Sequence, residues 1–287
     1  GAKGLYSGMT DHPHIPLAGV VGSPIAHSRS PALHGYWLKH YGLKGHYVPL
    51  DIAGDDLAAA LRLMPRMGFV GCNVTIPHKE AVLRLADQVS DRARAIGAAN
   101  TLTFDSKGEI HADNTDGVGF LANLRQSAPQ WTPAAGPAAV FGAGGAARAV
   151  VAALLDAGVP ELRLTNRTRA RAEALATDFG PRLRVIDWGD MAALLDGAQT
   201  VVNTTALGMA GHGAFDLPLD RLDRSALVTD IVYNPLITPF LSLAQARGCT
   251  IVDGLGMLLH QAVPGFERWF GLRPEVDAAT RAAVLGA

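Results

Sequence analysis

Short apolar runs of strand length alternate with segments of helical period along most of this chain. A run of four to eight apolar residues between turn residues predicts a buried strand, whereas an apolar period near 3.6 predicts a helix. Strands that alternate with helices are joined by crossovers, and crossovers produce a parallel sheet with helices packed on its faces. The alternation therefore predicts an α/β fold.

Length, charge and cysteine content narrow the possible classes of protein. The 287 residues correspond to about two domains, and 48% hydrophobic with 18% charged residues excludes a disordered chain. A net charge of -1 provides no field for a polyanion, so we expect neither nucleic acid nor a membrane surface as a partner. Cys72 and Cys249 form no disulfide framework or CxxC pair, which favours a cytoplasmic location. The longest uncharged run, 126–147, contains three prolines and is not a membrane span.

The alternation divides into two blocks separated by a segment rich in Pro, Ala and Gly, Ala128 to Pro137. In the first block we predict strands Pro16 to Val21, His46 to Asp51, Phe69 to Thr75, Ala99 to Phe104 and Glu109 to Ala112, and helices Pro31 to Tyr41, Asp55 to Met67 and Pro77 to Leu85. In the second we predict strands Ala138 to Phe141, Glu161 to Thr165, Leu183 to Ile186, Thr200 to Asn203, Leu227 to Ile231 and Thr250 to Val252, and helices Gly145 to Ala157 and Thr168 to Phe179. About six strands is the number found in a doubly wound nucleotide-binding domain.

The chain becomes purely helical after Asp253. The apolar residues there recur at three- and four-residue steps: Leu255, Leu258, Leu259, Ala262, Phe266, Trp269 and Phe270. Such a face has to pack on structure that is already present. Residues 1–8, ahead of Met9, are interpreted as a remnant of an expression vector and take no part in the fold prediction.

A glycine-rich turn, Gly142-Ala143-Gly144-Gly145-Ala146-Ala147, follows a predicted strand and opens a predicted helix. The first glycine permits a tight turn, the second lets backbone N–H groups approach a pyrophosphate, and the small Ala147 allows close packing of helix on strand. A glycine-rich turn that only connects two elements is the alternative. The combination of strand, turn and helix favours a dinucleotide site.

The end of the next predicted strand distinguishes between the two nicotinamide cofactors. An acidic residue there would bind a ribose 2'-hydroxyl, but the chain has Asn166-Arg167-Thr168-Arg169-Ala170-Arg171 instead. Three guanidinium groups at this position suit a 2'-phosphate and favour NADP(H) over NAD(H). A solvated basic face with Thr168 as the helix N-cap is the alternative.

Polar clusters also lie at the predicted strand ends of the first block, where open α/β sheets bind ligands. Ser28 and Ser30 precede a helix and serve equally well as ligand-binding hydroxyls or as caps. Asn73 and Thr75 share one side of a strand, followed by Lys79 on the helix predicted from Pro77, where it either acts in a site or is solvated. The other two clusters are Asn100-Thr101 and Asp113-Asn114-Thr115-Asp116-Gly117, in which either aspartate also suits a helix cap. The ten histidines show no metal-ligand spacing, so no metal is assigned.

Taken together, these residues resemble the shikimate dehydrogenase family from Pro16 onward. Seven motifs occur in that family's order: Gly22-x-Pro24-Ile25-x-His27-Ser28-x-Ser30-Pro31-x-x-His34, Asn73-Val74-Thr75-x-Pro77-x-Lys79, Asn100-Thr101-Leu102, Asp113-Asn114-Thr115-Asp116-Gly117, Gly142-Ala143-Gly144-Gly145-Ala146, Asn166-Arg167-Thr168-x-x-Arg171 and Gly254-Leu255-Gly256-Met257-Leu258-x-x-Gln261. The resemblance implies a substrate domain formed by residues 9–115 and 254–287, and a Rossmann-like NADP domain formed by residues 116–253. It leaves a monomer and a homodimer open.

The resemblance also implies roles for individual residues. Ser28, Ser30 and Tyr233 would hold the substrate carboxylate, and Thr75, Asn100, Asp116 and Gln261 would bind ring hydroxyls, with Asn73 nearby. Lys79 and Asp116 would form the catalytic pair. The cofactor contacts would come from Gly142, Ala143, Gly144, Gly145, Ala146, Asn166, Arg167, Thr168, Arg171, Thr204 and Gly254.

These roles predict the NADP-dependent, reversible interconversion of 3-dehydroshikimate and shikimate without a metal. Reduction of a ketone leaves charge on its oxygen, so an acid has to stand within about 3 Å, and Lys79 oriented by Asp116 suits that task. A quinate or dual quinate/shikimate dehydrogenase is the first alternative; a serine at position 30 resembles the members that prefer shikimate. The second is a catalytically silent NADPH-binding sensor, which would have no need of Lys79 with Asp116.

Overall fold

The computed structural model describes residues 14–215 and 217–287, so the segment 1–8 and the first residues of the predicted substrate domain lie outside the described residues. The chain divides into two compact units. The first comprises the described residues up to Thr115 together with Leu258–Ala287, and the second comprises Asp116–Met257.

The first unit contains a six-stranded sheet with the strand order β2-β1-β3-β5-β6-β4. Its strands are β1 Leu17–Gly22, β2 His46–Asp51, β3 Gly71–Val74, β4 Gln88–Val89, β5 Thr101–Phe104 and β6 Ile110–Asp113, and its first helices are α1 Ser30–His40, α2 Gly54–Leu63, α3 Ala81–Leu85 and α4 Asp91–Ile96. The five strands predicted from the sequence are all present, while the two-residue β4 and the short α4 were not predicted. The helix predicted to Met67 ends at Leu63 and continues as a 3-10 turn, Met64–Met67.

Strand β5 runs against its neighbours in an otherwise parallel sheet. It pairs antiparallel with β3 on one side and with β6 on the other, whereas β1 pairs parallel with both β2 and β3. The amino end of β5 therefore lies beside the carboxyl ends of β3 and β6. Val74 at the end of β3 donates its N–H to the carbonyl of Asn100, the residue before β5 (2.8 Å).

The second unit contains a six-stranded, fully parallel sheet with the order β12-β11-β10-β7-β8-β9. Its strands are β7 Ala138–Phe141, β8 Leu162–Thr165, β9 Leu183–Val185, β10 Thr200–Asn203, β11 Leu227–Asp230 and β12 Thr250–Val252, and its helices are α5 Asp116–Ser127, α6 Gly145–Ala157, α7 Arg169–Phe179, α8 Met191–Leu195 and α9 Pro239–Arg247. The strand count predicted from the sequence is confirmed. Numbered within the unit, this order is 3-2-1-4-5-6, the doubly wound arrangement whose ligands bind where the strand order reverses, here between β7 and β10.

The last two helices are α10 Leu255–Phe270 and α11 Ala278–Leu285. The apolar face predicted after Asp253 is present on α10, with only Leu258 of that set half-buried. Phe266 and Trp269 pack against the aromatic rings of α1 and β2, with the rings of Phe266 and Trp37 5.2 Å apart. Trp269 also donates its indole N–H to the carbonyl of Leu102 (3.2 Å). A Cβ at Gly71 would lie 2.1 Å from that indole nitrogen, so β3 needs a glycine where the helix crosses it. None of the described helices is long and apolar enough to span a membrane.

Asp113, at the carboxyl end of β6, is held by two arginines from different helices of the first unit. Arg92 of α4 forms a two-pronged contact with its carboxylate (2.7 Å for each nitrogen), and Arg268 of α10 adds a third (2.7 Å). The Ser90 hydroxyl also donates to it (2.7 Å). Partial burial opposes ionisation, but these donors hold the pKa of Asp113 well below its usual range. Asp113 is therefore an anchor for the two helices, and the prediction that it could cap α5 is wrong, because α5 begins three residues later, at Asp116.

We expect Asp113→Asn to lower the free energy of unfolding by about 1 to 3 kcal/mol at pH 7, since it removes the charge from hydrogen bonds with two guanidinium groups. The folded pKa is depressed, so this stabilisation is present above the unfolded value of about 3.9 and is lost as the pH falls through the folded pKa. Denaturant unfolding of both proteins between pH 7 and pH 3 measures it.

Asp178→Asn is the matched control. Its carboxylate is half-exposed and pairs with one arginine in the described part of the chain, Arg148 (2.8 Å), so the substitution should change stability by less than about 0.5 kcal/mol. Equal losses in the two variants, or a loss at Asp113 that does not shrink on acidification, would contradict the prediction.

Candidate functional site

Several residues predicted to bind substrate meet at one edge of the first sheet. The loops after β1 and β3 are joined there by a hydrogen bond from the Ser23 N–H to the carbonyl of Ile76 (3.0 Å). A Cβ on Gly22, the last residue of β1, would lie 2.4 Å from the Thr75 methyl group, so the glycine permits this close approach. Thr75 is half-buried beside this loop.

Tyr47 connects two of the predicted residues although it was not itself predicted. Its phenol, on β2, donates a 2.7 Å hydrogen bond to Oδ1 of Asn73, which in turn donates from Nδ2 to the carbonyl of Asn100 (3.2 Å). Burial raises the pKa of Tyr47 well above its usual value, and a hydrogen bond with Ser30 partly offsets that effect. The phenol is therefore neutral at physiological pH and joins Ser30 to Asn73.

The Asn100 amide makes at least four hydrogen bonds at this edge. Its Nδ2 donates to the Thr115 hydroxyl (2.8 Å) and to Oε1 of Gln261 on α10 (3.0 Å). Its Oδ1 accepts from the Thr101 hydroxyl (3.0 Å) and from the Thr115 N–H (2.8 Å). The Thr115 hydroxyl also donates to the carbonyl of Gln261 (2.8 Å). We refer to the buried residues joined in this way, Ser30, Tyr47, Asn73, Asn100, Thr115 and Gln261, as the polar cluster.

Ser28 lies next to the cluster and has a local role as well. Its hydroxyl accepts the N–H of Ser30 (3.2 Å), so it stabilises the turn that leads into α1. Ser30 is the first residue of α1 and is almost fully buried. Ser28 thus shapes the entry of the helix, and Ser30 contacts the buried phenol of Tyr47.

Lys79 does not lie on a helix. The prediction that a helix begins at Pro77 is wrong. Helix α3 begins at Ala81, because the His78 N–H bonds the carbonyl of Thr75 (3.0 Å) and the His78 ring bonds the carbonyl of Ile52 (2.6 Å). Residues 76–77 and 79–80 form turns on either side of His78. The carbonyl of Lys79 accepts the N–H of Ala99 (2.8 Å), and its side chain is half-buried.

Asp116 is the first residue of α5 and is buried. It is bonded directly to Thr115, a member of the polar cluster, so its Cα lies about 3.8 Å from that of Thr115. Asn114, on the other side of Thr115, donates to the carbonyl of Ala98 (2.9 Å) and holds the turn against the segment before Asn100.

A buried histidine packs behind the cluster. The His34 ring stacks on Tyr47 with centroids 3.8 Å apart and an interplanar angle of 4°. Burial lowers the pKa of His34 to about 3, so the imidazole is neutral. Neither ring nitrogen has a hydrogen-bond partner among the described residues.

In the second unit, the glycine-rich turn lies at the point where the strand order reverses. Gly142 has a positive φ of 109° and donates to the carbonyl of Thr165 (2.9 Å). A Cβ there would lie 2.4 Å from the Thr204 hydroxyl, whereas a Cβ on Gly144 would have no atom within 4 Å. Helix α6 then begins at Gly145, and its N-cap residue, Gly144, gives its first N–H groups no side-chain acceptor. This is the arrangement that suits a pyrophosphate. Ala143 and Ala147 are buried, and Ala146 is half-buried.

The loops after β10 and β11 are held by a buried asparagine and a buried aspartate. The Thr204 hydroxyl donates to the carbonyl of Phe141 (2.6 Å), which ties the loop after β10 to the turn after β7. Asn203 donates to Asp230 (3.0 Å) and accepts from the N–H of Thr205 (3.0 Å). Burial raises the pKa of Asp230 to about 6, an effect that its three hydrogen-bond donors partly offset. Neither Asn203 nor Asp230 was predicted as a site residue.

The remaining predicted residues of this edge are Tyr233 and Gly254. Tyr233 is half-buried on the loop after β11, which the Asp230 carboxylate holds through the N–H of Val232 (3.0 Å). Gly254 packs tightly, because a Cβ there would lie 2.4 Å from the carbonyl oxygen of Asp230.

The arginines after β8 differ in their partners. Arg169 pairs with Glu173 (3.1 Å) and with Asp187, so its charge is neutralised. Arg167 is exposed and has no carboxylate partner among the described residues; its guanidinium lies over the Trp188 ring, 5.4 Å from the centroid. Asn166 donates to the carbonyl of Thr168 (2.9 Å), Thr168 occupies the N-cap position of α7, and Arg171 is exposed on that helix.

One group of residues in the described part of the chain places possible metal ligands together. Asp105, Glu109 and His111 each bring a ligand atom within 4.8 Å of the others on the β5–β6 hairpin. The Asp105 carboxylate accepts the N–H groups of Lys107 (2.9 Å) and Glu109 (3.0 Å) and contacts the His111 ring (2.9 Å). These contacts close the hairpin.

Three family models match this chain. The shikimate dehydrogenase substrate binding domain matches residues 20–102, the shikimate / quinate 5-dehydrogenase model matches residues 131–210, and the shikimate 5'-dehydrogenase C-terminal domain matches residues 254–284. The matched segments include the loops after β1 and β3, the glycine-rich turn and the arginines after β8.

Curated relatives are similar over nearly the whole chain. A protein of Cereibacter sphaeroides named shikimate dehydrogenase (NADP(+)) is 69% identical over 277 residues, which cover 96% of this chain and 99% of that protein. A protein of the same name from Paracoccus denitrificans is 65% identical over 95% of this chain and 96% of its own length.

Two solved structures are also similar. Shikimate 5-dehydrogenase from Thermus thermophilus, in complex with NADP(H) and shikimate, has a TM-score of 0.83 and 39% identity, with 94% of this chain and 98% of that chain covered. Quinate dehydrogenase from Corynebacterium glutamicum, in complex with NAD, has a TM-score of 0.87 and 33% identity, with 96% and 100% covered. Family models match most of the chain, and curated relatives and solved structures match almost its full length, so the chain belongs to the shikimate dehydrogenase family.

Proposed function

We propose that this chain catalyses the reversible, NADP-dependent reduction of 3-dehydroshikimate to shikimate. The observation that carries the proposal is the polar cluster, in which Ser30, Asn73, Asn100 and Gln261 from four separate elements share one buried hydrogen-bond network. A small ring acid with several hydroxyl groups needs donors and acceptors concentrated in this way. The relatives at 65% to 69% identity carry the name of this NADP-dependent activity.

The substrate roles are assigned to the residues around the cluster. Ser28, Ser30 and Tyr233 would hold the carboxylate, and Thr75, Asn100, Asp116 and Gln261 the ring hydroxyls. Asn100 donates to Gln261 in the structure. A ring hydroxyl both donates and accepts, so it would replace that contact and bond to both amides. The buried amides would then remain satisfied in the complex.

The chain's residues also fit the cofactor. The open space at Gly144 and the uncapped start of α6 would take the pyrophosphate, and Arg167, which has no described carboxylate partner, would take the 2'-phosphate with Arg171. The further cofactor contacts would come from the turn residues 142–146, Asn166, Thr168, Thr204 and Gly254. NADPH, when bound, supplies the hydride that reduces the ketone carbon.

Lys79 and Asp116 would carry the proton transfer. In the reducing direction the Lys79 ammonium donates a proton to the oxygen of the former carbonyl, and in the reverse direction the Lys79 amine accepts it. The Asp116 carboxylate orients the ammonium and accepts a hydrogen bond from a neighbouring ring hydroxyl. Two observations support these positions: Asp116 directly follows Thr115 of the polar cluster, and the Lys79 carbonyl bonds the N–H of Ala99, next to Asn100.

Quinate is the alternative substrate, since the quinate dehydrogenase of Corynebacterium glutamicum has a similar fold over 96% of this chain. The serine at position 30 and the arginine at position 167 favour shikimate and NADP. A turnover assay with NADPH and 3-dehydroshikimate, repeated with 3-dehydroquinate and with NADH, tests the proposed function directly. We place the enzyme in the cytoplasm, where its buried thiols, Cys72 and Cys249, remain reduced.

Arg167→Ala should raise the KM for NADPH by about ten- to a hundredfold and leave the KM for NADH almost unchanged. The reason is that a charge-assisted hydrogen bond to the 2'-phosphate exists only with the phosphorylated cofactor. Steady-state kinetics with both cofactors measures the difference. Equal losses for the two cofactors would mean that Arg167 supports the fold rather than the phosphate.

Lys79→Ala should lower kcat by about 10² to 10⁴, the usual scale of general acid-base catalysis, with little change in NADPH affinity or Tm. Asp116→Asn should lower kcat and also raise the KM for shikimate, because this carboxylate is assigned to both the lysine and a hydroxyl. Kinetics, cofactor titration and thermal melts of both variants separate these effects. An unchanged kcat in Lys79→Ala would remove Lys79 from the mechanism.

For the unmodified protein, kcat/KM for shikimate should exceed that for quinate by at least about tenfold. Quinate is tetrahedral at C1 and carries an extra hydroxyl, which a pocket shaped for the flat shikimate ring would leave crowded or unpaired at a cost of about 1 to 3 kcal/mol. Initial rates of oxidation with NADP for the two acids measure the ratio. Comparable values would establish a dual-specificity enzyme instead.

A further inference from the structure

Trp188 contacts one arginine that is assigned to the cofactor and the residue that directly precedes the glycine-rich turn. It lies in the loop after β9 and is half-buried. Its ring meets the Phe141 ring edge-on, with centroids 6.1 Å apart and an angle of 84°, and Phe141 directly precedes the glycine-rich turn. The Arg167 guanidinium lies over the same indole, 5.4 Å from the centroid. One side chain thus connects the strand before the turn with the arginine after β8.

The indole restrains Arg167 without neutralising it. The attraction between a cation and an aromatic face needs no hydrogen-bond acceptor, so this contact leaves guanidinium N–H donors available for an oxyanion. A carboxylate in the same position would occupy those donors and cancel the charge. That is the situation of Arg169, whose partners are Glu173 and Asp187.

The Trp188 loop is itself anchored. Asp187, its neighbour in sequence, pairs with Arg169, and the Trp188 side chain packs against the core cluster that contains Phe141 and Phe240. The Trp188 indole is therefore held in place in two ways: by the ion pair of its neighbour Asp187 and by the packing of its own ring. An arginine that is restrained before binding loses less side-chain entropy when it engages a ligand.

We propose that Trp188 is a positioning residue that sets the preference for the phosphorylated cofactor, by holding Arg167 ready for the 2'-phosphate. The proposal rests on the function proposed above, in which Arg167 binds that phosphate. It assigns Trp188 to discrimination between NADP(H) and NAD(H) and to no step of the chemistry.

The test is direct binding measured by calorimetry, with NADP⁺ and NAD⁺ and with the fragments 2',5'-ADP and 5'-AMP. Trp188→Leu should raise the Kd for NADP⁺ and for 2',5'-ADP about three- to tenfold, and change the Kd for NAD⁺ and for 5'-AMP by less than about twofold. Trp188→Phe keeps an aromatic face and the core contact, so it should recover part of the loss. Equal weakening of phosphorylated and unphosphorylated ligands would overturn the proposal.

A matched control is available in the same unit. Trp131 is also half-buried, packs against the other core cluster of the unit and donates to the Thr200 hydroxyl at the opposite end of the strands (3.0 Å). Trp131→Leu should leave the ratio of the two Kd values unchanged. A shift of the ratio in this variant as large as that in Trp188→Leu would also overturn the proposal, because any core tryptophan would then have the effect.

The double variant Arg167→Ala/Trp188→Leu separates this inference from the function on which it rests. If Trp188 acts through Arg167, the double variant should bind NADP⁺ as weakly as Arg167→Ala alone and no weaker. Additive losses would overturn the role of Trp188 while leaving that of Arg167 intact. A normal ratio in Arg167→Ala would instead overturn the assignment of Arg167, and this inference with it.

Discussion

The reversed direction of β5 determines which side chains can meet in the first unit. In a fully parallel sheet, the residue before a strand lies at the opposite edge from the residue after its neighbour. Because β5 pairs antiparallel with β3 and β6, Asn100 at its start lies beside the ends of both strands. Asn73 and Thr115 are therefore within hydrogen-bonding reach of Asn100. The polar cluster depends on this one reversal.

The second unit needs no reversal, because its six parallel strands place every carboxyl end at one edge. The loops at that edge are long, and any buried polar group in them that lacks a hydrogen bond would destabilise the fold. The Asn203 amide and the Asp230 carboxylate supply these hydrogen bonds. Together they bond the backbone of the loops after β10 and β11 and the hydroxyl of Thr238. Asn100 bonds the neighbouring segments in the same way in the first unit. In both units a buried polar side chain at a strand end fixes the loops that carry the candidate site residues.

Much of the fold could be predicted from the sequence, because strands and helices each have a characteristic spacing of apolar residues. The strands of both sheets, the glycine-rich turn and the apolar face of α10 follow from such patterns. The turn at Lys79 could not be predicted, since it depends on the bond between His78 and Ile52, which are 26 residues apart. Tyr47 and Trp188 fit an apolar pattern and look like core residues. Their hydrogen bond and cation contact involve partners 26 and 21 residues away, so only the folded chain displays them.

The arginines after β8 show most clearly that contacts between distant residues cannot be predicted from the local sequence. As cations Arg167, Arg169 and Arg171 are equivalent in the sequence, and only the resemblance to the family distinguishes Arg167 and Arg171 from Arg169. The fold distinguishes the first two by their partners: Arg169 faces two carboxylates, whereas Arg167 faces an indole. A carboxylate reduces the charge available to a ligand, while an aromatic face restrains the cation and leaves its charge and its donors intact. The residue that remains able to bind an anion is therefore decided by what the chain packs against each arginine, and not by the number of arginines in the motif.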